Sequence, residues 1–224
     1  NSGIKMNRRS FLLAGGTFFL SAAAAVAAPE FRLGKEPDTN AIDNKMINPY
    51  QTVGNYKDDH HRVFMFISFD CPYCAESWYG YGKWGRTLPD PFKFVYVPLF
   101  GSQRMNTAAV AFYALRELAP HRLPEYMRQA FTLTASGHHD TTQYSAILRK
   151  MGFTDEQIGK AIKSSITEKR INRAIRLSKN YRVDKTPTFG VAGRYATHPG
   201  YTNGNYVMLK DLLNTLVTKA IENT

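Results

Sequence analysis

The chain has 224 residues, 43% hydrophobic and 21% charged, with 16 Gly, 11 Pro and 2 Cys. At roughly 150 residues per domain, this is the size of a single globular domain with a sizeable core, which excludes disorder, collagen and a cysteine-stapled miniprotein. The 29 Lys and Arg against 18 Asp and Glu give a net charge of +11, compatible with a nucleic acid, an anionic membrane surface, an acidic partner or a solvated basic face.

Residues 6–28 place Arg8 and Arg9 ahead of an uncharged stretch that closes in small residues, the layout of a secretory signal. Phe11 to Ala28 could instead anchor the chain in a bilayer, but its Gly, Ser, Thr and Ala content makes it weakly hydrophobic. Residues 1–27 are therefore expected to be an N-terminal extension and export signal, cut after Ala25-Val26-Ala27 to leave a mature domain over 28–224. The stretch Asn7-Arg8-Arg9-Ser10-Phe11-Leu12-Leu13 resembles a twin-arginine export signal; an ordinary Sec signal remains the alternative. Such a protein would work outside the cytoplasm, where disulfides persist, and is not expected to meet nucleic acid.

Pro29 to His61 reads as a polar lead-in with at most one short strand. Val63 to Phe69 is an almost unbroken run of β-branched and aromatic residues, the mark of a strand buried on both faces. It runs directly into Cys71-Pro72-Tyr73-Cys74, which holds both cysteines of the chain. A helix is predicted from Pro72 to about Gly85, a turn at Pro89-Asp90-Pro91 and a second strand over 92–99, so the pair falls at the strand-to-helix junction of a βαβ unit.

In that position Cys71 is the N-cap, Pro72 the first helical residue and Cys74 the third. Pro is favoured there because its missing N–H would have had no partner. The free N–H groups of Tyr73 and Cys74 aim at the Cys71 sulfur, and the helix dipole adds positive potential. Thiols so placed have pKa values of about 3.5 to 7.5 against about 8.5 for free cysteine, which makes Cys71 a nucleophile and a good leaving group. Cys74, one turn inside, is the expected resolving thiol. An inert bridge or half of a metal site is the alternative, yet two thiols with no His at a short ligand spacing cannot complete a tetrahedral zinc site. No metal and no cofactor are expected.

Downstream, 107–118, 123–134, 142–151, 155–162 and 164–181 are predicted helices without an intervening strand, a helical insertion over about 102–182. A strand at 188–191, a turn at Ala192-Gly193, a strand at 194–197 and an amphipathic helix over 206–222 complete the chain. Thr186-Pro187 stands directly ahead of a strand, which raises the question of a cis bond, although most X-Pro bonds are trans. Lys163, Lys169, Arg170, Arg173, Arg176, Lys179 and Arg182 make the last inserted helix strongly basic, read as a solvated face with an acidic partner or anionic surface as the alternative. Trp78, Tyr79, Tyr81 and Trp84 are expected to pack in the core, and the pairs His60-His61 and His138-His139 to lie in surface loops.

The buried strand leading into Cys71-Pro72-Tyr73-Cys74, the long helical insertion and Thr186-Pro187-Thr188-Phe189 before the Gly193-Arg194-Tyr195 hairpin together resemble the thioredoxin superfamily, specifically the DsbA-like thiol:disulfide oxidoreductases of the bacterial periplasm. The resemblance covers essentially the whole mature chain and implies an α/β, thioredoxin-like fold with an inserted helical subdomain. It implies that Cys71 is the exposed nucleophile, that Pro72 and Tyr73 tune the redox potential, and that Pro187 is a cis-proline against the cysteine pair, with Thr186 offering backbone hydrogen bonds to an extended substrate. The implied partners are reduced exported client proteins and a membrane or soluble redox partner that resets the cysteines, and a monomer is expected.

The sequence departs from the best-known oxidases of that family, which carry His in place of Tyr73. A phenol supplies no cation to the Cys71 thiolate, and Asp70 adds a negative charge, so a less oxidising disulfide is expected. Trp78 occupies a position where some members carry an acid, leaving Glu76 as a candidate substitute. A disulfide isomerase or reductant of the same fold, and a noncatalytic binding or assembly module, are the alternatives.

Overall fold

The computed structural model describes residues 48–136, 140 and 142–223. The expected export segment and the His138-His139 pair lie outside the described residues. The elements are β1 (Gln51–Thr52), β2 (Arg62–Ile67), α1 (Pro72–Gly85), β3 (Lys93–Pro98), α2 (Gln103–Leu118), α3 (Leu123–Ala135), α4 (Thr142–Lys150), α5 (Asp155–Ile162), α6 (Ser165–Asn180), β4 (Thr188–Val191), β5 (Tyr195–Thr197) and α7 (Tyr206–Glu222).

The five strands form one mixed sheet in the order β1-β5-β4-β2-β3. β2 and β3 pair in parallel, from Arg62 against Lys93 to Ile67 against Pro98, across the α1 crossover. β4 runs antiparallel on the other side of β2, and β5 and β1 follow antiparallel. Helices α2 to α6 separate β3 from β4 in the chain, which is the inserted helical block expected from sequence.

The apolar run at β2 is buried from Val63 to Ile67 because both sheet faces are covered. On one face Tyr181 packs its ring against Phe64 and Phe66. On the other, Trp84 of α1 meets Phe94 of β3 edge to face, and its indole Nε1 donates to Asn214 of α7 at 2.9 Å. Tyr81 of α1 contacts Phe189 of β4. Three of the four crowded aromatics, Trp78, Tyr81 and Trp84, are core residues, whereas Tyr79 is exposed.

Two sequence boundaries shift for physical reasons. The strand stops at Ile67, two residues before the end of its apolar run, because Phe69 belongs to the helical block, where its ring meets Phe112, Tyr126 and Phe131. α2 starts at Gln103, four residues before the predicted Thr107, because Ser102 caps it by accepting the Met105 N–H at 3.3 Å. Among the described residues, no helix is long and apolar enough to cross a membrane.

A buried polar network joins the insertion to the sheet. Asp59, 3% exposed, pairs with Arg173 of α6 at 2.9 Å and accepts the Tyr181 hydroxyl at 3.4 Å. The same hydroxyl accepts the Gly193 N–H at 3.0 Å in the β4–β5 turn. Burial pushes the Asp59 carboxyl up, and Arg173 opposes the shift.

Tyr181 fits only because residue 190 has no side chain: a Cβ there would lie 2.5 Å from two of its ring carbons. Gly190→Ala is expected to destabilise the protein by about 1–3 kcal/mol. Gly159→Ala in α5, where a Cβ meets nothing within 4 Å, is expected to stabilise it by about 0.5–1 kcal/mol. Urea unfolding midpoints read both signs.

Candidate active site

The chain leaves β2 at Ile67 and turns once, the Cys71 N–H reaching the Ser68 carbonyl at 3.1 Å. Cys71 is then held in an extended conformation (φ −93°, ψ 115°) as the N-cap of α1, with Pro72 at the first helical position. The Cys74 amide donates to the Cys71 sulfur at 3.3 Å. Both cysteines are free thiols. Cys71 keeps 9% exposure and Cys74 none, so Cys71 is more covered than the resemblance implied. The cover comes partly from Thr186, whose carbonyl oxygen accepts from the Cys71 thiol at 3.2 Å.

The two thiols are driven apart in acidity. Hydrogen bonding from the Cys74 thiol, then from the Thr186 side chain and the N–H groups of Cys74 and Tyr73, lowers Cys71 from 9.0 to about 6 against the opposing effect of burial. Burial, then the hydrogen bond to Cys71 and the charge of its thiolate, push Cys74 far up. The lowered value favours the thiolate of Cys71 at neutral pH, and the thiolate is the reactive form. The acidity of Cys71 therefore rests on hydrogen-bond donors at a helix N-terminus, with no cationic side chain required. The Asp70 backbone N–H donates to the Ser68 hydroxyl at 3.2 Å.

The structure brings Thr186 and Pro187 to the cysteines from more than a hundred residues away, and the Thr186-Pro187 bond is cis, as is Asp90-Pro91. Tyr73, 62% exposed, lies beside them. Tyr73, Lys185, Thr186, Pro187, His198 and Asn203 line an open groove of about 460 Å³. His198 had no role in the sequence reading. Its Nδ1 accepts the Gly200 N–H at 3.0 Å, and burial, with Lys185 nearby, lowers its pKa. The pattern His-Pro-Gly just after the last strand was the available signal. Glu76 does not act on either thiol through the forces named above; it lines a separate pocket with Tyr206 and Lys210. Among the described residues, no group of three His, Cys, Asp or Glu could hold a metal ion.

A family model described as thioredoxin matches residues 50–203. A thiol:disulfide interchange protein DsbA of Bordetella parapertussis is 24% identical over 204 residues, covering 90% of this chain and 95% of that protein. The crystal structure of Pseudomonas aeruginosa DsbA superposes with a TM-score of 0.64 at 21% identity, covering 72% of this chain and 84% of that one. A Proteus DsbA, solved with a non-covalently bound peptide PWATCDS, gives a TM-score of 0.62 at 15% identity, covering 76% of this chain and 96% of that one.

In the reduced protein, thiolate ultraviolet absorbance is expected to titrate with a midpoint near pH 6. Cys71→Ser removes the transition, and Cys74→Ala moves it up, because the largest stabiliser of the thiolate is lost. Since the folded value lies below the unfolded one, ionisation of Cys71 stabilises the reduced fold, fully above about pH 9 and not at all well below about 6. The thermal midpoint of the reduced protein relative to Cys71→Ser is therefore expected to rise between pH 6 and 8, a range in which the upward-shifted Cys74 stays protonated in both states.

Proposed function

The chain belongs to the thioredoxin family, and from that premise we propose that it is a periplasmic thiol:disulfide oxidoreductase that introduces disulfides into exported proteins through Cys71 and Cys74. The observation that carries the reading is the split acidity of the pair, Cys71 lowered to about 6 and Cys74 pushed up. Proteins named as thiol:disulfide interchange proteins, matching over nearly their whole length, support it.

In the oxidised protein, a client thiolate attacks the Cys71 sulfur of the Cys71–Cys74 disulfide. The client–Cys71 bond forms, and Cys74 leaves and takes up a proton, because its burial disfavours the anion. A second client thiolate then attacks the client sulfur of the mixed disulfide and expels Cys71 as a thiolate, which the α1 N-terminus holds. The client is oxidised by two electrons and the protein is left as the dithiol. A membrane or soluble redox partner must then reset it. Stabilising the thiolate favours the reduced pair, so it makes the disulfide more oxidising, by about 30 mV for each 1.4 kcal/mol.

Thr186 fits a second task. Its carbonyl accepts from the neutral Cys71 thiol, so ionisation or disulfide formation frees that oxygen for a backbone N–H of an extended client. Tyr73 and Pro187 flank the same groove. Residues 1–27 supply the export signal and 28–224 the mature enzyme, with Pro72 and Tyr73 setting the potential.

Equilibration against a glutathione series tests the reading. A potential near about −120 mV is expected of a disulfide donor, and a value of about −200 to −230 mV would transfer the assignment to a reductant or isomerase. Tyr73→His is expected to make the pair more oxidising by adding a cation beside the thiolate. The Cys71→Ser, Cys74→Ser double variant should lose all oxidation of a reduced client; retained oxidation would refute the proposal.

A further inference from the structure

The basic helix is not only a solvated face. Lys169, Arg176 and Lys179 of α6 are exposed, but Arg170, Ala174 and Leu177 are partly or fully buried toward the sheet, and Arg173, half exposed, lines the same recess. There they meet Arg62 at the start of β2 and Arg116 of α2, around a cavity of about 280 Å³ floored by Phe64, Val95 and Val97. Four guanidinium groups thus share one recess. Arg173 is balanced by Asp59 at 2.9 Å, and Arg62 reaches only the His61 carbonyl, at 3.3 Å. Among the described residues, Arg62, Arg116 and Arg170 have no carboxylate within ion-pair distance.

The neighbouring acids do not fill the gap. Asp58 is the one acid among the lining residues and is exposed. Glu117 accepts from the Ser164 and Thr167 hydroxyls. Arg170 Nη1 is buried with no hydrogen-bond partner. Burial, with Arg170 and Arg173 nearby, weakens the hold of Arg116 on its proton. Asp59 acts on Arg62 only from beyond ion-pair distance, and a guanidinium stays charged, so three of them without a carboxylate in contact, beside the single exposed Asp58, leave a demand for an anion.

We propose that this recess, formed by Arg62, Arg116, Arg170 and Arg173, binds a phosphate-class oxyanion. Forked guanidinium donors match the tetrahedral oxygens of phosphate in pairs. The cavity is at the small end of ligand pockets, which run from about 300 to 1,000 Å³, so it suits inorganic phosphate, a small phosphomonoester or a phospholipid headgroup. The site is independent of the thiol chemistry: β2 alone carries the chain about 17 Å from Arg62 to Ile67, twice the Debye length of about 8 Å at physiological salt.

Calorimetry on the full chain with inorganic phosphate, at ionic strength matched with chloride, tests the proposal. One saturable site is expected. Arg116→Gln and Arg170→Gln should each weaken it about tenfold or more, Arg170→Lys should weaken it by losing the fork, and Lys179→Gln should leave it within about twofold. In chloride alone, Arg170→Gln is expected to melt no lower than the parent, because it relieves repulsion. No saturable heat, or an equal loss in Lys179→Gln, would overturn the site. So would a lower chloride midpoint for Arg170→Gln with phosphate affinity unchanged, since Arg170 would then be held by protein groups. Glycerol phosphate competing with phosphate identifies a soluble ligand; co-sedimentation with phosphatidylglycerol vesicles that depends on Arg170 identifies a headgroup. The Cys71 titration is expected to be the same with and without phosphate, which separates this result from the redox reading.

Discussion

A sulfur atom stands at the N-cap of α1 where the other capped helices use oxygen, and the amide of Cys74 donates to it. Ser102, Thr154, Ser164 and Asn205 cap α2, α5, α6 and α7 with neutral side-chain oxygens, each satisfying an N–H that the helix leaves free. Sulfur makes a poorer cap as a thiol but can ionise, and the same N–H then becomes a charge-assisted donor. The surrounding structure serves that one contact. The buried strand β2 fixes where the chain enters the helix, Pro72 removes a donor that would have pointed nowhere, and the burial of Cys74 ensures that only one sulfur of the pair carries the charge.

The second side of the site is held by the network around Asp59. Tyr181 ends α6 and begins the segment that delivers Thr186 and Pro187, and its hydroxyl is fixed between Asp59 and the Gly193 amide. Arg173, one face of α6 earlier, neutralises the same carboxylate. The helical block is thereby tied to the β4–β5 hairpin by a few polar contacts that add to the apolar packing of the Tyr181 ring. Only Asp59 of this pair is buried, while Arg173 is half exposed; the pair is weak evidence for net stability, but losing Arg173 is costly because the carboxylate remains buried. The network thus fixes the geometry of Thr186 against Cys71 more than it adds to the total free energy of folding.

Much of this was legible in the sequence because local signals agreed with the fold. The continuous apolar run of β2, the CxxC at its end, the cap at Thr154 and the helical periodicities of 123–134, 155–162 and 206–222 each reflect short-range physics. What depended on distant partners was not legible. Phe69 looks like strand in sequence and is helical-block core in space; Asp59 reads as a surface acid and is buried; the arginines of α6 show their charge in the sequence but not which of them face inward. His198 carries a turn signal in His-Pro-Gly, but nothing local says that it lines the same groove as Tyr73. The placement of Thr186 and Pro187 came from family resemblance, since nothing local brings residue 186 to residue 71.

That separation has a kinetic side. Phe64 of β2 pairs with Gly190 of β4, 126 residues later, with six α-helices and β3 between them among the described residues. Pairing at such range is slow, because the entropy of a long loop is lost before its contacts form. Until β4 docks, Cys71 lacks Thr186, and Cys74 lacks the full burial that keeps it neutral. A half-folded chain therefore carries a thiol pair with an incomplete division of labour, prone to the same adventitious exchange as any exposed cysteines. The local α1 N-terminus lowers Cys71 by itself, but only the long-range docking of the β4 segment adds Thr186, so topology completes a reactivity that the CxxC turn begins.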